Sequence, residues 1–95
     1  MKDQIAVVTG GAQGIGLAVA RLLAEQGARV ASWDIDAGNA AAMAGLGEGT
    51  LAIECDITDL ASVEAAYART GDLLGIPSIM VNSDGIAGPN APLKL

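Results

Sequence analysis

Histidine is absent from the 95 residues, and cysteine occurs once, at Cys55. A lone cysteine excludes an intrachain disulfide and a thiolate metal cluster, and the lack of histidine removes the common zinc and general-base arrangements. We therefore expect no metal site, and we interpret Cys55 as a small buried strand residue. One cysteine also suits a reducing compartment, so we expect a cytoplasmic protein.

Basic residues are scarce as well. Five Lys and Arg stand against eleven Asp and Glu, which gives a formal net charge of −6. This charge repels phosphodiester backbones and anionic lipid, so we expect no nucleic-acid partner and no membrane partner. The longest uncharged stretch, residues 5–20, contains Gln13 and four glycines, which makes it a poor bilayer span. We expect no targeting segment.

Aromatic residues are nearly missing, with no Phe, one Trp and one Tyr, although 52% of the residues are hydrophobic. The apolar content is therefore mostly aliphatic side chains and Ala. A chain of this length can bury one modest core, so we predict a single domain over residues 1–95. We interpret Trp33 and Tyr67 as packing residues.

Short apolar runs alternate with segments of helical periodicity, a pattern typical of βαβ units and a parallel sheet. It predicts an α/β fold. Strands are expected at residues 5–8, 29–34, 50–55 and 79–81, helices at 14–26, at 37–46 and from 58 or 59 up to the Gly75 region, and a loop at 85–95. In the first helix the apolar face is expected to comprise Ile15, Val19, Leu22 and Leu23, and in the third helix Val63, Ala66, Tyr67 and Thr70.

A glycine-rich segment, residues 9–16, lies between the first predicted strand and the first predicted helix. Gly10 lets the chain turn off the strand, Gly14 lets the backbone approach a pyrophosphate, and Gly16 lets the helix pack closely on the sheet. Backbone N–H groups and the helix dipole then face the anion. The position between strand and helix therefore predicts dinucleotide binding.

Two rival motifs compete with this interpretation. A P-loop needs Lys and then Ser or Thr where this chain has Leu17 and Ala18, so it has no phosphate lysine. An S-adenosylmethionine-type site is the closer rival, because it also combines a glycine turn with an acidic residue at the end of the second strand. The run leading into the turn, residues 5–8, holds no acidic residue, which disfavours that rival.

Asp34 ends the second predicted strand, eighteen positions after Gly16. Its carboxylate can accept from both hydroxyls of an adenosine ribose. A 2′-phosphate within about 4 Å would cost on the order of 4 kcal/mol per unit-charge pair at an effective dielectric of about 20. Neither Gln13 nor Ile35 supplies a compensating cation, so we predict NAD rather than NADP. The alternative is a solvated aspartate that caps a turn.

Asp56 ends the third predicted strand in the same way. It can accept from the exocyclic amine of adenine while Ile35 and Ile57 flank the ring. The alternative is that Asp56 is the N-cap of the helix that follows. We interpret Asp36 as solvated surface.

Four separate motifs together resemble the N-terminal half of the short-chain dehydrogenases/reductases. They are Thr9-Gly10-x-x-x-Gly14-Ile15-Gly16, the strand-end Asp34, Asp56-Ile57-Thr58, and Val81-Asn82-x-x-Gly85. The resemblance covers nearly the whole chain. It implies a doubly wound, Rossmann-type parallel sheet, of which this chain is the β-α-β-α-β-α-β portion. It also implies a strand order of third, second, first, fourth, and reversible oxidation of an alcohol to a carbonyl compound with NAD.

The resemblance also assigns cofactor-binding residues. The pyrophosphate is assigned to Gly10, Gly14, Ile15 and Gly16, the ribose to Asp34, the adenine to Asp56 and Ile57, and the fourth-strand motif to Asn82 and Gly85. Where the family usually has Asn-Asn-Ala-Gly, this chain has Ser83 and Asp84 in the middle positions. Asp84 places a charge where a small apolar residue lies close to the cofactor.

The family's catalytic Ser and Tyr-x-x-x-Lys pair do not occur in these 95 residues. Tyr67 is the only tyrosine, and Gly71 rather than Lys stands at the fourth position after it. The resemblance therefore implies an NAD-binding fragment that lacks the catalytic C-terminal half and is inactive alone. The parent is expected to be a homo-oligomeric oxidoreductase for a small alcohol or carbonyl substrate. The alternatives are a catalytically inactive NAD-binding or sensor module and, third, a methyltransferase-like enzyme.

Overall fold

The computed structural model describes residues 3–83, in which four strands alternate with three helices. They are β1 (Ile5–Thr9), α1 (Gly14–Glu25), β2 (Arg29–Asp34), α2 (Asn39–Ala44), β3 (Thr50–Glu54), α3 (Leu60–Leu73) and β4 (Ile79–Asn82). The predicted order of elements is confirmed. The largest difference is in α2, which begins and ends two residues inside the predicted range. Asp84, Gly85 and the predicted loop at 85–95 lie outside the described residues.

The four strands form one parallel sheet in the order β3-β2-β1-β4. This is the predicted α/β, Rossmann-type topology. The register aligns Thr9 with Trp33 on one side and with Asn82 on the other, and it aligns Asp34 with Glu54. The carboxyl ends of all four strands therefore meet at one edge, where open parallel sheets bind their ligands.

Both faces of the sheet are covered. Ala6 and Val8 of β1 belong to a core cluster that includes residues of α1 and α2, whereas Val7, between them, belongs to a second cluster that includes Ala66 of α3. Successive side chains of a strand point to opposite faces, so a strand buried on both sides must be apolar at every position. This explains the continuous apolar run of β1.

The predicted apolar face of α1 is wrong in part. Ile15 is 78% exposed and Leu22 is 55% exposed, whereas the buried residues of the helix are Gly16, Ala20 and Leu23. These three lie at intervals of four and three residues and form one helical stripe. Two of them are small, so the helix axis approaches the sheet closely. Leu17 and Val19, beside the stripe, are partly buried and pack against the same core, whereas Ile15 and Leu22 are turned outward.

Trp33 and Cys55 are buried as expected, at 2% and 1% exposure, but Tyr67 is 50% exposed and does not pack in the core. The buried residues of α3 are Ala66 and Thr70. The Thr70 hydroxyl accepts a hydrogen bond of 3.0 Å from the Trp33 indole N–H and donates one of 2.8 Å to the Ala66 carbonyl. This polar link sets the rotation of α3 and leaves Tyr67 toward solvent.

Candidate functional site

The chain turns sharply between β1 and α1. Gly10 has a backbone φ of 73° and Gly14 a φ of 64°, and residues other than glycine rarely adopt these values. The N–H of Gly10 donates to the Trp33 carbonyl at 2.9 Å, which fixes the start of the turn against β2. Gln13 occupies the N-cap position of α1 but makes no capping bond with its side chain, and the first helical turn contains no acidic residue. No carboxylate in that turn neutralises the positive end of the helix dipole.

The glycines of the turn are required for different reasons. A Cβ on Gly16 would collide with the Gly10 carbonyl oxygen, and a Cβ on Gly11 would lie 2.8 Å from the Ser32 Cβ. Close packing within the protein therefore accounts for both of these glycines. A Cβ on Gly14 would meet nothing within 4 Å. The space outside Gly14, at the beginning of α1, is open and has the character that a backbone-bound pyrophosphate requires.

Asp34 ends β2 directly beside this turn, and its side chain is buried, at 7% exposure. One carboxylate oxygen, Oδ2, accepts from the backbone N–H of Ala12 at 3.0 Å, and the other, Oδ1, accepts from the N–H of Asp36 at 2.9 Å. The alternative of a solvated aspartate is therefore wrong, although Asp34 does cap the turn that follows it. An ionised carboxylate offers about four acceptor positions, so these two hydrogen bonds use about half of them.

Asp36, which we interpreted as plain solvated surface, is exposed but has specific partners. Its Oδ1 accepts from the N–H of Gly38 at 2.7 Å, and its Oδ2 accepts from the side-chain amide of Gln13 at 3.2 Å. Neither partner was predicted from the sequence. The Asp-x-Asp-x-Gly spacing from Asp34 to Gly38 signals the bond from the Gly38 N–H, because an aspartate commonly accepts from the N–H two residues later. It does not signal the bond from Gln13.

Asp56 follows β3 and forms the same kind of turn. Its Oδ1 accepts from the hydroxyl of Thr58 at 2.6 Å and from the N–H of Thr58 at 2.9 Å. The hydroxyl bond, and secondly the N–H bond, lower the pKa of the Asp56 carboxyl below its ordinary value. The alternative of Asp56 as a helix N-cap is wrong, because Asp59 is the N-cap of α3 and accepts from the N–H of Ala61 at 3.0 Å.

A cavity of about 420 Å³ opens beside Asp34, between the β2–α2 loop, α2 and β3. Of the predicted adenosine-site residues, Asp34 and Ile35 line it, whereas Asp56 and Ile57 are not among the lining residues. The lining also includes Asn39, which the sequence analysis missed. Asn39 is buried, and its amide donates to the carbonyls of Ser32 at 2.9 Å and Ile53 at 3.4 Å. It thereby joins the ends of β2 and β3 on one side of the cavity. The full lining is Asp34, Ile35, Asp36, Ala37, Asn39, Ala40, Ala52 and Glu54.

On the other side of β1, the end of β4 is attached to the same turn. The Thr9 hydroxyl donates to Oδ1 of Asn82 at 2.9 Å, and the Ser83 hydroxyl donates to the Thr9 carbonyl at 2.6 Å. A Cβ on Gly16 would lie 2.6 Å from the Ser83 oxygen, so the missing side chain leaves room for this hydroxyl. Asn82 therefore adjoins the glycine turn, whereas Gly85 lies outside the described residues.

A model of the short chain dehydrogenase family matches residues 4–95 of the chain. The chain belongs to this family. Cis-4-hydroxycyclohexanecarboxylate dehydrogenase of Sinomonas cyclohexanicum is 44% identical over 96% of the chain. 3-Oxoacyl-(acyl-carrier-protein) reductase of Vibrio harveyi is 38% identical over 100% of the chain. The crystal structure of 3-ketoacyl-(acyl-carrier-protein) reductase from Brucella melitensis, complexed with NADH, superimposes with a TM-score of 0.81 and 31% identity over 83% of the chain.

The chain spans 38% of the Sinomonas dehydrogenase, 39% of the Vibrio reductase and 33% of the Brucella structure. The similarity therefore concerns about a third of a short-chain dehydrogenase. Within residues 3–83, no helix has the length and apolar character needed to cross a membrane. In the same part of the chain, no three His, Cys, Asp or Glu side chains are grouped so that they could hold a metal ion.

Proposed function

We propose that this chain is the NAD-binding part of a short-chain oxidoreductase that transfers hydride between NAD and an alcohol or carbonyl compound. Family membership and relatives that are named as dehydrogenases and reductases support the reaction class. The structural relative complexed with NADH supports a nicotinamide dinucleotide. Bound NAD supplies the hydride acceptor, and the residues of this chain hold it in place.

The proposal is supported above all by two neighbouring features, the open space at Gly14 and the carboxylate of Asp34. Open space lies outside Gly14 at the uncapped beginning of α1, and the buried carboxylate of Asp34 is hydrogen-bonded to the neighbouring turn at Ala12. Backbone donors and a helix dipole suit a pyrophosphate, and a fixed carboxylate with unused acceptor positions suits a ribose. A dinucleotide requires both features next to each other.

In this proposal, each part of the dinucleotide is held by its own set of residues. The turn residues Gly10, Gly14, Ile15 and Gly16 hold the pyrophosphate, and Asp34 accepts from the adenosine ribose. Exposed Ile35 and half-buried Ile57 flank the adenine, while Asp56 accepts from its amine. Asn82 and Gly85 belong to the strand end on the nicotinamide side.

NAD is preferred over NADP in this proposal. A 2′-phosphate would lie against Asp34, whose carboxylate is already fixed by two N–H donors and cannot swing away without breaking them. At about 4 Å and an effective dielectric of about 20, each unit-charge pair costs about 4 kcal/mol. Gln13 and Ile35 are uncharged, so they do not offset that cost.

The chain alone is proposed to be catalytically inactive. Proton transfer to a substrate oxygen needs a positioned acid or base, and the only tyrosine, Tyr67, lies half-exposed on α3 with Gly71 at the fourth position after it. The parent protein is proposed to be a cytoplasmic homo-oligomer that acts on a small alcohol or carbonyl substrate. Residues 1–95 are then one partial domain.

Calorimetric titration of the chain with NADH and NADPH tests the binding proposal. NADH should bind more tightly, and Asp34→Ala should reduce the difference between the two affinities. Glu48→Ala, in the exposed turn between α2 and β3, is the matched control and should leave both affinities unchanged. Equal binding of the two dinucleotides by the unaltered chain, or tighter binding of NADPH, contradicts the assignment.

A freestanding NAD-binding or sensor module is the second candidate. It is favoured by Asp84, which places a charge where the fourth-strand motif of the family usually has a small apolar residue. The coding sequence beyond residue 95 separates the two candidates, since a reading frame that continues into a Ser and a Tyr-x-x-x-Lys supports the enzyme. A stop codon there, together with NADH binding and no alcohol-dependent NADH formation, supports the module.

A further inference from the structure

The side chain of Gln13 reaches away from its own helix. Gln13 is the N-cap residue of α1, in extended conformation with a φ of −160°, yet its side chain makes no capping bond. Its amide instead donates to Oδ2 of Asp36 at 3.2 Å, which bridges the glycine turn and the β2–α2 loop. Gln13 is thus the second point at which this loop holds the turn, beside the bond between Asp34 and Ala12.

Asp36 is fixed from three directions. Its Oδ1 accepts from the Gly38 N–H at 2.7 Å, its Oδ2 accepts from Gln13, and its own N–H donates to Asp34 Oδ1 at 2.9 Å. One hydrogen bond therefore connects the two aspartates, although Asp34 is buried and Asp36 is exposed. The carboxylate of Asp36 is held near one position while it remains exposed to solvent.

The residues that line the cavity beside Asp34 provide no cation for a phosphate. The cavity beside Asp34 has three carboxylates in its lining, those of Asp34, Asp36 and Glu54, and its lining contains neither Lys nor Arg. A doubly charged phosphate entering here would meet repulsion from Asp36 in addition to that from Asp34. Because Asp36 is exposed, its contribution is screened by salt, whereas that of buried Asp34 is screened much less.

We propose that Asp36 is a second specificity-determining residue, which disfavours NADP through its charge and, as a positioning residue, through the Gln13 side chain that it holds between the glycine turn and the β2–α2 loop. This inference rests on the proposed binding of NAD. It assigns to the rim of the site a share of the discrimination that the strand-end aspartate alone would otherwise carry.

Two substitutions separate the charge from the bridge. Asp36→Asn removes the charge and keeps one oxygen for the Gly38 N–H, while its amide N–H can donate to the side-chain oxygen of Gln13 once the Gln13 amide turns over. Gln13→Ala removes the bridge and keeps the charge. Glu25→Gln, at the exposed end of α1, is the control for a change of one unit in net charge. Affinities for NADH and NADPH are measured by titration calorimetry at low and at high salt. Thermal unfolding of each variant reports its stability.

Asp36→Asn should tighten NADPH binding roughly three- to tenfold at low salt, with NADH within about twofold, and the gain should shrink at high salt. Gln13→Ala should tighten NADPH roughly two- to threefold, less than additively with Asp36→Asn, because the two side chains share one hydrogen bond. A purely structural role would weaken both dinucleotides equally and would not depend on salt.

The outcomes distinguish this inference from the proposed function. If the unaltered chain binds NADH and the NADPH-to-NADH affinity ratio of Asp36→Asn equals that of Glu25→Gln, the inference is overturned and NAD binding stands. If the unaltered chain binds neither dinucleotide, the proposed function fails and the inference fails with it. A changed ratio that is insensitive to salt removes the charge argument and leaves only the bridge, which contradicts the inference as stated.

Discussion

The backbone N–H of Ala12 donates a 3.0 Å hydrogen bond to Oδ2 of Asp34, which joins the turn after β1 to the end of β2. The side chain proposed to hold the ribose therefore also holds the loop proposed to hold the pyrophosphate. A substitution at Asp34 changes the turn and the ligand contacts together. Stability and binding must be measured separately to distinguish these two effects.

Asp34→Ala should lower the free energy of unfolding by about 1–3 kcal/mol, because the N–H groups of Ala12 and Asp36 lose their acceptor. Asp34→Asn keeps one acceptor oxygen, so it should cost less. Urea unfolding followed by the fluorescence of Trp33, the only tryptophan, measures both. Glu54→Ala, at the aligned but exposed position of β3, is the control and should change the free energy by no more than about 0.5 kcal/mol. If Asp34→Ala and Glu54→Ala lower the free energy of unfolding equally, the two hydrogen bonds that Asp34 accepts contribute nothing to stability.

Alanine at the glycines of the turn should separate packing from ligand binding. Gly16→Ala collides with the Gly10 backbone and should prevent stable folding, whereas Gly14→Ala meets open space and should cost only its backbone strain of about 1–2 kcal/mol. Gly14→Ala should nevertheless abolish NADH binding, because its Cβ would occupy the place proposed for the pyrophosphate. Circular dichroism and NADH titration measure the two effects.

Gly71→Ala is the matched control for these glycines, since it lies within α3 with nothing within 4 Å of its added Cβ. It should stabilise the chain by up to about 1 kcal/mol through helix propensity and should leave NADH binding unchanged. Normal NADH affinity in a folded Gly14→Ala variant would contradict the placement of the pyrophosphate.

Sequence reasoning identified the element order because it depends on strong local signals, whereas the strand order was implied by the resemblance to the short-chain dehydrogenases/reductases. The apolar run of β1 and the glycines around Gly14 suit few structures besides a buried strand and a tight turn, and the position of Asp34 follows from the end of a strand. The burial of α1 could not be predicted in the same way. Periodicity gives weight to large side chains such as Ile15 and Leu22, whereas the buried stripe includes the small residues Gly16 and Ala20 beside Leu23. The close packing at Gly16 was predicted from the glycine motif, but the burial of Ala20 was not.

Most hydrogen bonds of the site could not be predicted from the sequence either. An aspartate at a strand end is equally suited to cap a turn, to begin a helix or to bind a ligand, and the choice depends on which N–H groups the tertiary structure places near it. Asp56 accepts from Thr58, whereas Asp59 caps α3. The bond between Gln13 and Asp36 joins residues 23 positions apart, so no local pattern indicates it.

Thr70→Val should destabilise the chain, because it leaves the indole N–H of Trp33 buried without its acceptor. The expected loss is about 1–3 kcal/mol, the cost of an unsatisfied buried donor. Thr70→Ser keeps the hydroxyl and should lose less, mainly through the missing methyl group. Urea unfolding and the indole N–H resonance of Trp33 measure the effect, and an unshifted resonance in Thr70→Val would contradict the hydrogen bond.

The pKa of Asp56 should depend on the Thr58 hydroxyl, which is the main cause of its lowering. Thr58→Val should raise this pKa toward its ordinary value, while Thr58→Ser should leave it low. Because the folded-state pKa is the lower one, the stabilisation is complete above the unfolded-state pKa and is lost as the pH falls through the folded-state pKa. Carboxyl-carbon NMR titration measures the shift, and Thr50→Val is the control because the Thr50 hydroxyl donates to backbone carbonyls. Identical titration in Thr58→Val and Thr58→Ser would contradict this assignment.

The free edge of β4 should make the isolated chain self-associate. Within residues 3–83, β4 pairs only with β1, and Met80 is 56% exposed on it, so an apolar strand presents unpaired backbone groups to water. Such edges template association between chains, and a charged side chain on them opposes it. Met80→Lys should therefore reduce association, whereas Leu22→Lys, at the similarly exposed Leu22 of α1, should not.

Saturating NADH should also shift the chain toward its folded monomer, because a ligand that binds only the native state stabilises it. Size-exclusion chromatography with thermal unfolding is the measurement. A monodisperse unaltered chain that unfolds cooperatively above about 60 °C would show that its edge is already protected.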